Sequence, residues 1–190
     1  MTSTQTSSSR RLGRALITFA AFPIGASAAR LAVGAVDAPA PALAGGLIAG
    51  AVIGLGQALG SSGRLPRTRW TFATSLGMAA GLTAGAAAVD YDTSLGALAT
   101  MGAITGASVG AAQAAAWGTS LAPAARAAWA ALIPALWALG WTVTTAIGVN
   151  VDLQWVVFGS AGAIVAAAGF AGGLELLAPA PTTTKAEVAA

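Results

Sequence analysis

The sequence predicts an all-α integral membrane protein: six transmembrane helices, arranged as three tandem helical hairpins in a pseudo-threefold repeat, with the N and C termini cytoplasmic. Three observations lead there. The 190-residue chain is 56% hydrophobic and only 8% charged, whereas a soluble domain carries about 25% charged residues. Its mean hydropathy is +0.77, and its uncharged runs match the roughly 20 residues a helix needs to cross a bilayer core. Finally, every Lys and Arg except Arg30 falls in the tails or in alternate connections.

Residues 1–13, MTSTQTSSSRRLG, are polar and Ser/Thr-rich and read as a disordered cytoplasmic tail. Arg10, Arg11 and Arg14 ahead of an apolar stretch also suit a signal peptide, but the stretch runs on to Val36 through Arg30 without an early cleavage site, which favours an uncleaved span. The spans are expected at 15–36, 42–60, 70–89, 95–117, 127–149 and 153–174, within a transmembrane domain of 14–177. The connections are short and carry turn chemistry, including Pro39 and Pro41, Pro66, Asp90, Gly118 and Pro123, and Asn150. Residues 178–190 read as a second disordered cytoplasmic tail.

Orientation follows from the basic residues. Arg10, Arg11 and Arg14, then Arg64, Arg67 and Arg69, then Arg126, then Lys185 all fall on one side, and the opposite loops carry Asp37, Asp90, Asp92 and Asp152. Basic loops stay in the cytoplasm, so the chain is expected in a cytoplasmic (inner) membrane, multi-pass, with both termini inside. The same separation accounts for the sequence pI of 10.7 as a topology signal and excludes nucleic acid as a partner.

Cysteine and histidine are both absent. That removes disulfides, thiolate and imidazole metal ligands, and His acid–base chemistry. Glu175, at the inner end of the sixth span, is the only carboxylate near a span interior, so a buried proton relay has no members. No enzyme activity, cofactor or metal is expected.

The motif of interest is GLIAGAVIGLGQALG, with Gly46, Gly50, Gly54 and Gln57. It returns 56 residues later as GAITGASVGAAQAAA, with Gly102, Gly106, Gly110 and Gln113. A degraded third copy has Gly162, Ala166 in place of the next glycine, and Gly169 in place of the glutamine. Ile24-Gly25, Leu76-Gly77 and Leu139-Gly140 echo one another ahead of Asp37, Asp90 and Asp152, which makes the repeating unit a hairpin. Glycines at i, i+4 and i+8 share one helix face. They either let a neighbouring helix approach closely or leave a groove for a ligand or lipid tail. The two glutamines lie near that face, either as interhelical glue or as a polar gate.

A G-x-x-x-G-x-x-Q helix followed by a short basic loop and a Trp that opens the next span (Gln57, Arg64 to Arg69, Trp70) resembles a loose group of bacterial multi-span membrane proteins. In that group the Gln is often followed by Trp and a Leu-Arg-Arg run, whereas Ala58 and Ala114 stand at that Trp position here. The resemblance covers most of 42–175 and implies a fold and no chemistry.

Arg30 is the one charge well inside a span. It either snorkels to the outer surface to pair with Asp37, Asp90, Asp92 or Asp152, or forms an anion or lipid-headgroup site. The tryptophans suit an interfacial belt or core packing, and Pro23 and Pro134 suit kinks. The expected function is a non-enzymatic accessory or scaffold subunit packed through its Gly-rich faces, whose partners are the lipid bilayer and another membrane protein or itself. The alternative is a small transporter or channel with its pathway along the Gly/Gln faces and Arg30 as charge selector.

Overall fold

The computed structural model describes residues 3–178, which form six helices: α1 (Ser3–Val33), α2 (Pro39–Gly60), α3 (Arg67–Ala88), α4 (Leu95–Trp117), α5 (Pro123–Ala146) and α6 (Ser160–Leu177). Five of them are long and apolar enough to cross a membrane; α3 is not among the five. Its buried positions explain why, since Thr74, Ser75, Gly77, Gly81 and Gly85 lower its hydropathy yet lie against neighbouring helices.

Local chemistry sets the helix ends. Pro39 and Pro123 occupy the first positions of α2 and α5, where a missing N–H costs nothing. Ser94 caps α4 by accepting the Ala97 N–H. Gly34, at φ +77°, ends α1 with its N–H on the Arg30 carbonyl, a left-handed turn that glycine adopts without strain.

Each helix packs antiparallel on its chain neighbour, and α1 meets α6 through the thinnest contact in the set, closing a ring. One end of the ring carries Arg14, Arg64, Arg67, Arg69 and Arg126, and the other carries Asp37, Asp90, Asp92 and Asp152. Side chains fill the interior at both ends. At the basic end Trp70, Trp117, Trp129 and Phe170 meet edge to face, with ring centroids 5.3–6.1 Å apart. At the acidic end Phe158 stacks on Phe22 and takes the edges of Trp137 and Trp141.

Two boundaries differ from the sequence expectation, and a third lies outside the described residues. The α1 helix extends back to Ser3, through the segment read as a tail, because a nucleated helix adds residues cheaply even where propensity is modest. The C-terminal tail lies outside the described residues from 179 onward. The sixth helix begins at Ser160 rather than near 153. A 3-10 turn, Val151–Leu153, and a left-handed Gln154 (φ 51°) redirect the chain there. Val156, Val157 and Phe158 then enter the ring as a buried non-helical segment. Non-helical backbone is tolerated at membrane depth when protein surrounds it, and here Gly159 N–H donates to Thr144 Oγ1 at 3.1 Å.

Candidate functional site

The glycine faces lead to the site. A Cβ built on Gly46, Gly50 or Gly54 would fall 2.7–2.9 Å from Ala79, Ser75 or Thr74 of α3. One on Gly102, Gly106 or Gly110 would fall 2.6–2.9 Å from Trp141, Pro134 or Ala130 of α5. Real Cβ atoms do not tolerate such distances, so these stripes are faces where two helices touch nearly backbone to backbone. A third stripe went unnoticed in the sequence: Gly77, Gly81 and Gly85 give α3 a second close face, against Val109, Thr105 and Met101 of α4. The same i, i+4, i+8 spacing was there to be read.

Close approach brings the two glutamines together. Gln57 and Gln113 are 5% and 0% exposed, inside the ring at its basic end. Trp70 Nε1 donates to Gln57 Oε1 at 2.9 Å, and Trp129 Nε1 donates to Gln113 Oε1 at 3.1 Å. An indole N–H can only donate, so both amides must turn their oxygens to it. That leaves Gln113 Nε2 to donate across the ring to Gln57 Oε1 at 3.1 Å and to Thr74 Oγ1 at 3.0 Å. Four helices, α2, α3, α4 and α5, are thereby joined by one buried polar network.

No family model matches the chain, and no curated protein or solved structure resembles it. The functional reading therefore stands on these contacts.

The third copy of the motif is placed differently. Gly162 lies against Gly140 and Thr144 of α5, and Gly169 against Leu136 of the same helix. The α2 and α4 stripes face the helix that follows in the chain, whereas these α6 glycines face the helix before. Phe170, beside Gly169, reaches the Trp70 and Trp129 rings. Consequently α1 receives no glycine stripe from α6, and the α1–α6 seam holds two cavities. One, of about 770 Å³, opens at the basic end between Arg14, Thr18, Arg64 and the α6 residues Ala167, Phe170 and Glu175. The other, of about 350 Å³, lies toward the acidic end between Pro23, Ser27, Trp155 and Phe158.

Arg30 does not pair with the acidic loops. Its Nη1 donates to the Leu153 carbonyl at 2.8 Å, and its guanidinium lies 5.7 Å from the Trp155 ring centroid. The segment 147–159 folds over the end of α1 and brings that carbonyl into reach, while Asp152 accepts from Thr93 and Asp92 from Ser94. The one ion pair among the described residues joins Arg64 to Glu175 at 2.8 Å, across the basic end of the seam. The tryptophans serve packing rather than a belt: Trp70, Trp117, Trp129, Trp137 and Trp141 are all buried, and Trp155 is half-buried against Arg30.

Proposed function

We propose that this chain is a non-enzymatic, multi-pass membrane protein that serves as an accessory or scaffold subunit. Three tandem hairpins would sit in a bacterial cytoplasmic membrane with both termini on the cytoplasmic side, surrounded by lipid and in contact with another membrane protein or a second copy. The likeness to bacterial proteins with repeated GxxxGxxQ helices and the basic ends of the spans support that setting. One observation carries the function: the polar groups inside the ring, Gln57, Gln113, Thr74, Trp70 and Trp129, bond to one another. A solute pathway needs such groups turned to a lumen and ready to exchange partners; here Gln57 Oε1 and both ends of the Gln113 amide are taken up by Trp70, Trp129, Thr74 and one another, with aromatic rings around them.

The transport alternative draws less support. The glycine faces are filled by the helices opposite, and the Arg30 guanidinium is held by Leu153 and Trp155. Purification of the chain in mild detergent should bring down a stoichiometric membrane partner or a homo-oligomer. A monodisperse lone chain that carries solute across liposomes would overturn the scaffold reading.

A further inference from the structure

The large cavity at the basic end of the α1–α6 seam changes polarity along its length. Arg14, Ser62 and Arg64 line it at the basic end of the ring, and Ala167, Phe170 and Ala171 line it deeper along α6. The wall from Ala167 to Leu177 rises about 15 Å along the helix. That is the depth of one leaflet of a bilayer core roughly 30 Å thick. Two arginines against Glu175 leave the lining one positive charge in excess. Glu175 is already bonded to Arg64, so the surplus sits with Arg14. A basic mouth over an apolar slot one leaflet deep has the polarity profile of a phospholipid. Basic pockets between spans are recognised headgroup sites.

We propose that this cleft holds one anionic phospholipid from the leaflet at the basic end. Its phosphodiester rests on Arg14, beside the Arg64–Glu175 pair, and an acyl chain lies along Ala167, Phe170 and Ala171. The lipid completes the seam that α6 leaves thin by turning its glycines toward α5.

Native mass spectrometry of the full chain, titrated with phosphatidylglycerol, phosphatidylcholine or inorganic phosphate, tests this directly. Phosphatidylglycerol is expected to remain as a single adduct at about a tenth of the concentration phosphatidylcholine requires, and phosphate should not displace it. Arg14→Gln, at an exposed position, should weaken the adduct roughly tenfold. Ala171→Trp should abolish it by filling the slot while leaving the thermal midpoint in place. Equal retention by the wild-type chain and both variants overturns the site. So does phosphatidylcholine binding as tightly as phosphatidylglycerol, or displacement by phosphate, which would leave an anion site without a lipid.

Discussion

Gln113 takes part in three of the network's hydrogen bonds, to Gln57, Thr74 and Trp129, and none of its side chain is exposed. Removing it leaves the Trp129 N–H without an acceptor in an apolar interior, and an orphaned buried donor costs about 1–3 kcal/mol. Gln113→Leu is therefore expected to lower the thermal midpoint in detergent. Trp129→Phe, which keeps most of the ring area and removes the N–H, should cost little more once Gln113 is gone. A double-mutant cycle reads the coupling directly, at about 0.5–2 kcal/mol; additive costs would mean that the two side chains are neighbours without being partners. The glutamines were legible in the sequence because an amide in an apolar run must find a partner. Their donors were not. Trp70 and Trp129 sit near the ends of their spans, where a belt tryptophan would sit, and only the fold brings them back over 13 and 16 residues to the amides.

Helix contacts follow the glycines, and two substitutions separate packing from propensity. A Cβ at Gly106 would lie 2.6 Å from the Pro134 Cα, whereas one at Gly172 would meet nothing within 4 Å. Gly106→Ala must push α4 off α5 and should cost about 1–3 kcal/mol. Gly172→Ala should be neutral, or stabilise by up to about 1 kcal/mol through helix propensity. Equal midpoints for the two variants would remove the close-approach account of the stripes.

The start of α4 makes a different prediction. Hydrogen bonds from the Ser94 hydroxyl and N–H hold the exposed Asp92 carboxyl below its ordinary value of 3.8. A lowered folded-state pKa means that this contribution is complete above the ordinary value and is lost as the pH falls below it. Protection of the Ala97 and Leu98 amides from hydrogen exchange should therefore drop below about pH 4 in the wild type and stay flat in Asp92→Asn. At this scale the sequence places all six helices to within a few residues except at the start of the first, which runs back to Ser3, and at the start of the sixth. There, Leu153, Val156, Val157 and Phe158 are as hydropathic as any span. The Gln154 turn that keeps them out of a helix depends on its carbonyl accepting the Val36 N–H and its amide reaching the Tyr91 carbonyl, contacts no local pattern announces.

In the whole molecule, the ring raises a question about α3 that composition alone would answer wrongly. It alone of the six helices lacks a stretch apolar enough to cross a membrane, yet it lies between α2 and α4, taking the glycine face of α2 on one side and turning its own toward α4 on the other. Membrane insertion reads the hydropathy of a segment, but small and hydroxylated side chains are well tolerated once they are buried between helices. If α3 crosses with its neighbours, its two ends lie on opposite faces of the membrane, and the arginines would put the basic end in the cytoplasm. Arg67 begins the helix and Asp92 follows it, and both are exposed. The chain contains no cysteine, so Arg67→Cys and Asp92→Cys each introduce a single thiol. In intact cells a membrane-impermeant maleimide should label Asp92→Cys and not Arg67→Cys. In inside-out vesicles the pattern should reverse. Labelling of both from one side would show that α3 fails to span and would break the antiparallel ring, because α4, α5 and α6 would then face the wrong way. The opposite sidedness for each thiol would keep the ring and invert the orientation that the arginines imply.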